Sequence, residues 1–275
     1  MIPAGTSGEV LEAIQKVKAG APAFCTNFFP LQRKLQEWTW HGELQVEARE
    51  GAAFFLRQDR DFWRFYFCAA DVAALRREIT ALAELKSRPL VTDLVGSEEA
   101  LHEVIATLAS AGFRPYSRLQ RMARAGGLPA ENPSGAESQE VVWAENGDGM
   151  AVLELLESSF DRHADQLPFA REIDAAIDGR QILTVKSGGT LAALLHFETQ
   201  GFTSVVRYWA VDGRFRAQRF GSALMRRYLE SHGAVRRFTL WVVSENKNAI
   251  EKYRHYGYEP DGLVDHVLAN ESIAA

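Results

Sequence analysis

Residues 211–225 read VDGRFRAQRFGSALM. A strand-like end gives way to a loop carrying Arg214, Arg216 and Arg219, Gly221 closes the run, and Ala223, Leu224 and Tyr228 begin a helical stripe. A loop of backbone amides feeding a helix N-terminus is a general way to hold phosphate. The same residues also suit a solvated basic turn with an incidental glycine, so the flanks decide.

Composition narrows the choice. The 275 residues are 47% hydrophobic and 24% charged, an ordinary globular balance with length for one large domain or two modest ones. A net charge of −5 argues against a broad nucleic-acid surface, and a local arginine cluster on such a chain fits a small, discrete anion. Cys25 and Cys68 sit in AFCTNFF and FYFCAA without CxxC or Cys/His spacing, which predicts free, buried thiols and no metal site. The first twenty residues lack a basic stretch followed by an apolar core, and no run approaches membrane-spanning length. The expectation is a cytoplasmic chain without a membrane partner.

One compositional break stands out, RAGGLPAENPSGAESQE at 124–140, and it places a linker over 126–139 between domains at 1–125 and 140–275. In the second half, periodicity predicts a short strand at 140–144 and helices at 149–160 and 169–177. Three strands follow across 181–211, broken at Ser187-Gly188-Gly189 and Gln200-Gly201. A helix over 220–232, a strand over 237–244, a helix over 246–256 and a terminal strand complete the order. Hairpins early and a strand–helix–strand crossover late predict a mixed antiparallel and parallel sheet flanked by helices. The first half echoes this, with a hairpin across Asp59-Arg60, a helix over 71–85, a strand, a helix over 97–111 and a strand. LASAGFRPYSRL beside YRHYGYEPDGLV reads as a diverged tandem repeat, with two unrelated α/β halves as the alternative.

VDGRFRAQRFGSALM followed by LWVVSENKNAIEKYRHYGY (240–258) resembles the GNAT N-acetyltransferase superfamily over roughly 140–270. The family pattern is a strand, a loop of the form Arg/Gln-x-x-Gly-x-Gly/Ala, a helix, a strand and an Asn-x-x-Ala…Tyr-x-x-x-Gly-aromatic helix. Asn246, Ala249, Tyr253, Gly257 and Tyr258 match the second block. Registering the first block on Val211 and Leu224-Met225 places Arg216 first, Arg219 where the family has glycine, and Gly221 last. A register beginning at Gln218 fits the formula but shifts the helix by two residues.

The resemblance implies the GNAT fold, present twice, with the first half degenerate. It implies acetyl-CoA as acyl donor, its pyrophosphate held by Arg216, Ala217, Gln218, Arg219, Phe220, Gly221 and Ser222 and its pantetheine arm along the Val211 strand. Arg219 is expected in ordinary helical dihedrals, and Gly221 to admit a phosphate oxygen. Asn246 reads equally as a cofactor contact or a plain N-cap. Tyr253, by resemblance, is the acid that protonates the departing CoA thiolate, or else a core aromatic. In LAALLHFETQ, alternation sets His196 and Glu198 on one face as candidate proton acceptors, or as residues at a solvated strand end.

The implied activity is direct acetyl or short-acyl transfer to a primary amine of a small molecule or peptide, by a monomer or homodimer. The alternatives are a non-catalytic acetyl-CoA-binding or regulatory module and an aminoacyl-tRNA-dependent transferase. The aromatic stretch FCTNFFPLQRKLQEWTW (24–40) reads as core packing or, less favoured, as an acceptor lining.

Overall fold

The computed structural model describes residues 1–82, 84–127 and 140–274, so of the expected linker only Gly126 and Gly127 lie among the described residues. The chain forms two compact units, one of Met1–Leu119 with Gly262–Ala275, the other of Gln120–Asp261. The division is not contiguous, unlike the expected boundaries at 125 and 140, because two long strands pass from one unit into the other.

The first unit contains β1 (Ile2–Pro3), α1 (Ser7–Ala19), β2 (Cys25–Thr26), α2 (Gln32–Trp40), β3 (Leu44–Arg49), β4 (Ala52–Asp59) and β5 (Phe62–Ala69). It continues with α3 (Val72–Ile79), α4 (Glu84–Ser87), β6 (Leu90–Gly96), α5 (Glu98–Ser110) and the start of β7 (Phe113–Ala125). The helix expected over 71–85 is therefore two helices. β3, β4 and β5 form an antiparallel meander, and β6 returns parallel to β5 after the helical crossover. Alternation on β4 and β5 is strict: Phe54, Leu56, Phe65 and Phe67 pack with α3 and α5, while Phe55, Tyr66 and Cys68 pack with α1 and α2. Cys25 and Cys68 are free thiols, and burial pushes Cys68 up to about 12.

The second unit contains the rest of β7, then β8 (Val142–Trp143), α6 (Gly149–Ser159), α7 (Ala170–Asp178), β9 (Ile182–Ser187), β10 (Thr190–Gln200) and β11 (Thr203–Val211). After these come α8 (Phe220–Ser231), β12 (Arg237–Val243), α9 (Lys247–His255) and the start of β13 (Glu259–Asn270). The plan of the first unit repeats: β9, β10 and β11 form an antiparallel meander, and β12 returns parallel to β11. The hairpin turns sit on Gly188, Gly189 and Gly201, all at positive φ. One sheet face carries α8 and α9, the other α6 and α7. Each unit is thus a mixed sheet flanked by helices, and the fold occurs twice.

The last residues join the first unit for a definite reason. Val264–Ala269 of β13 pair antiparallel with β6, and buried Asn270 fixes the strand end: its carbonyl accepts from the Leu90 amide (3.0 Å) and its amide donates to Leu85 O (3.0 Å) and Arg88 O (2.7 Å). β13 also delivers a charge into the interior. Fully buried Arg64 donates from Nε to Asp59 (2.9 Å) and from Nη1 to Asp93 (3.1 Å). Asp265 adds a third buried carboxyl, and Oδ1 of Asp93 and Oδ1 of Asp265 have no hydrogen-bond partner among the described residues. Burial, then the Asp93 charge, hold Asp265 well above the ordinary carboxylate range, against the opposing pull of Arg64 and the Leu94 amide.

A carboxyl raised on folding stabilises the fold below its unfolded value, and that contribution is lost as pH climbs toward the folded value. Asp265→Asn cannot ionise. We expect it to raise the thermal midpoint at pH 8, by the equivalent of about 1–3 kcal/mol, and to change it little at pH 4. Melts of both proteins across this range check it; parallel profiles would contradict the account.

Candidate active site

The meander β9–β10–β11 is intact, but the next pairing is not. β12 pairs with β11 only over Thr203–Val206 against Arg237–Leu240. There β11 carries a bulge: its register with β10 shifts between His196 and Phe197, leaving Arg207 as the extra residue. The bulge inverts the side-chain parity. Val206, Trp209 and Val211 face α8 and α9, whereas Tyr208 and Ala210 face α6 and α7. Beyond it the backbone of β11 runs on past the paired stretch, and the sheet opens.

The 212–219 loop sits at the end of that open stretch. Asp212 accepts from the Arg214 amide (2.9 Å) and from its guanidinium, which holds the carboxyl down at about 2, so Arg214 is committed to shaping the turn. Arg216, Ala217, Gln218 and Arg219 are exposed, and no ion pair engages Arg216 or Arg219 among the described residues. Arg219 is the N-cap residue of α8, at φ 59° and ψ 15°, with no side-chain cap. This corrects the expectation of ordinary helical dihedrals: the position is left-handed in this chain, and arginine occupies it under strain. The first bond within α8 runs from the Ala223 amide to Arg219 O (3.1 Å), so the Phe220, Gly221 and Ser222 amides precede it and point out of the helix start. Below them Phe220, Leu224, Met225, Tyr228 and Leu229 form the buried stripe that docks α8 on the sheet.

Gly221 has a different task from the one expected. A Cβ there would meet Trp209 at 3.2 Å and Val211 at 3.3 Å, and the Trp209 indole N–H donates to Gly221 O at 3.2 Å. Glycine seats the helix start against β11 rather than clearing a path for an anion. Trp209 also touches Tyr253 (ring centroids 5.5 Å) and Tyr256 (5.9 Å), so one indole joins the loop to α9. Asn246 is the N-cap of α9, its side chain accepting from the Ala249 amide at 3.1 Å. The Tyr253 ring is partly buried, and no hydrogen bond ties its hydroxyl to another described residue. Burial, then the charge of Asp165, raise its phenol well above the ordinary value.

The two candidate proton acceptors lie elsewhere. His196 is buried, 5.7 Å from the Tyr208 ring on the α6/α7 side of the sheet, away from the face that holds Tyr253. Glu198 is exposed toward the end of β10, 3.8 Å from Arg207. A carboxylate that the sequence reading passed over is nearer in effect. Asp165 lies between α6 and α7, accepts from the Tyr208 hydroxyl through its carbonyl (3.0 Å), and acts electrostatically on Tyr253. Its signal was the charged run Asp161-Arg162-His163-Ala164-Asp165 in a loop between two apolar helices.

With this geometry in place, residues 150–258 match the sequence model of the Acetyltransferase (GNAT) family. The fold is similar to that of a GCN5-related N-acetyltransferase from Sphaerobacter thermophilus, at 15% identity over 98% of this chain and 93% of that one, with a TM-score of 0.58. It is equally similar to a tandem GNAT protein from the clavulanic acid biosynthesis pathway, at 15% identity over 96% and 94% of the two chains (TM-score 0.58). A GCN5-related N-acetyltransferase from Kribbella flavida aligns at 17% identity over 82% and 89%, with a TM-score of 0.56. No curated protein matches the chain in sequence. Both units thus carry the GNAT fold. Among the described residues, no helix is long and apolar enough to cross a membrane.

The left-handed Arg219 generates a direct test. Glycine adopts φ 59° without the Cβ clash, so Arg219→Gly should stabilise the folded chain by about 1 kcal/mol. Chemical denaturation reads this as a higher midpoint at unchanged slope; a lower midpoint would show that the guanidinium holds the loop together.

Proposed function

We propose that the second unit is an N-acetyltransferase that moves an acetyl or short acyl group from acetyl-CoA directly to the primary amine of a small molecule or peptide. The observation that carries this reading is a single indole: Trp209 binds Gly221 at an uncapped helix start and rests on Tyr253, placing anion-binding amides and a phenol along one open strand. The donor set fits acetyl-CoA. The Phe220, Gly221 and Ser222 amides and the partial positive charge of α8 suit a pyrophosphate, and Arg216 and Arg219 add charge-assisted donors. Ala217 and Gln218 shape the turn. The β11 backbone through Val211, beyond its pairing with β12, suits an extended amide-bearing arm.

Acetyl-CoA supplies an acyl group already activated as a thioester, so no covalent enzyme intermediate is required. Tyr253, like any phenol, keeps its proton through the neutral range, burial and then the Asp165 charge raise it further, and the same desolvation raises the basicity of a thiolate beside it. The phenol is therefore held as a donor for the leaving sulfur. Proton removal from the amine falls to exposed Glu198 by way of solvent, since His196 lies on the sheet face away from Tyr253. Asn246 serves by capping α9, which carries Tyr253. We assign the activity to a cytoplasmic monomer or homodimer, with no nucleic acid in the reaction.

A non-catalytic acetyl-CoA-binding module is the competing reading, and Tyr253→Phe separates the two. Because the hydroxyl acts only as the thiolate departs, the variant should keep its affinity for acetyl-CoA and lose about 10²–10⁴ in kcat with a reactive amine. The assay is release of CoA thiol over an amine panel, with a thermal melt as folding control. Unchanged turnover in the folded variant would return Tyr253 to a packing role.

A further inference from the structure

In the second unit, β11 and β12 pair over their first residues and then separate. The first unit repeats the design: β5 and β6 pair parallel at Trp63–Leu90 and Arg64–Val91, and their pairing ends there. In the first unit, however, the corresponding opening is filled. The chain at 23–28 enters it as an added strand, with Cys25 opposite Ala69 and Thr26 opposite Cys68. The Ala23 amide donates to Ala70 O (3.1 Å) and the Asn27 amide to Phe67 O (3.3 Å). The Thr26 hydroxyl also donates to Phe67 O, at 2.7 Å.

Asn27 then bridges the two parted strands with its side chain alone. Its Oδ1 accepts from the Phe67 amide at 2.8 Å. Its Nδ2 donates to Phe65 O on β5 (3.3 Å), and to Thr92 Oγ1 (2.8 Å) and Asp93 O (3.1 Å) on β6. The Thr92 hydroxyl closes the gap by donating to Phe65 O at 2.8 Å. A primary amide between two strands thus meets the backbone groups that their separation would leave bare. Phe28 anchors the segment from behind, stacked on Phe55 (4.4 Å) and packed against Tyr66 (5.0 Å).

We propose that residues 23–28 are a built-in occupant of the first unit's strand opening, holding as part of the fold the place that the second unit leaves to an extended acyl-thioester arm. The first unit is then permanently self-liganded, and the full chain takes one acyl-CoA, in the second unit. The count of one rests on the function proposed above; the self-occupied opening does not. This gives the aromatic stretch at 24–40 a role beyond core filling, because TN in FCTNFF supplies the polar groups and the flanking aromatics lock them in place.

Amide hydrogen exchange on the full chain tests the proposal. In the wild type, saturating acetyl-CoA should leave protection over Ala23–Phe28 and Phe65–Ala69 unchanged, while the Tyr208–Val211 stretch gains protection. Asn27→Ala should speed exchange at Phe67 and its neighbours by about tenfold or more, with the second unit unaffected. Added protection or release over Phe65–Ala69 with acetyl-CoA would overturn the proposal, since the ligand would then be entering or displacing the segment. So would unchanged Phe67 exchange in Asn27→Ala. If Phe65–Ala69 behaves as expected but Tyr208–Val211 never responds, the second-unit function fails while the self-occupied opening stands. The wild-type arm needs no variant, so a poorly folding Asn27→Ala leaves the proposal open to refutation.

Discussion

The second unit's site depends on one extra residue in a strand. Arg207 lengthens β11 relative to β10, and from that point Trp209 and Val211 face the α8/α9 layer while Tyr208 and Ala210 face α6/α7. The bulge also marks where β11 and β12 stop pairing. Bulges bend a strand and raise its local twist, so inverted parity and an opened sheet have one local cause. Without it, Trp209 would face the wrong layer, and neither Gly221 nor Tyr253 would have its indole partner.

Around that opening the chain holds arrangements that cost stability locally. Arg219 sits left-handed at the helix start, Gly221 gives up a side chain so that α8 can lie against Trp209 and Val211, and the first-turn amides are left without a side-chain cap. Each is unfavourable for a helix considered alone. Together they leave a concentrated set of donors beside a strand edge, which suits the diphosphate and extended tail proposed for it. The first unit shows the contrasting solution, in which Asn27 and β2 satisfy the equivalent backbone from within the chain.

Much of this was legible in the sequence where local chemistry dictates structure. Gly188, Gly189 and Gly201 mark hairpins because they sit at positive φ, and Asn246 marks the start of α9 because its side chain caps it. The apolar stripe of α8 was equally plain. What escaped depends on register or on distant partners. Arg219 was assigned helical dihedrals because nothing in its identity reveals a left-handed position. Simple strand alternation would put Leu191 and Ala193 on one face, but the register shift around Ala192 separates them onto opposite faces. Asp265 and Asn270 gave no sign that the chain's last strand completes the first unit, since their partners lie far away in sequence. Asn27 falls within the stretch read as aromatic core packing, and its four contacts on β5 and β6 lie far away in sequence.

The central claim is that the opening beside β11 receives acyl-CoA, and a crystal structure of the full chain with CoA bound tests it most directly. The account predicts diphosphate density on the Phe220, Gly221 and Ser222 amides, the pantetheine arm alongside Tyr208–Val211, and the thiol sulfur within reach of the Tyr253 hydroxyl. Density for CoA at any other place, with the β11 edge left bare at saturating ligand, would contradict it.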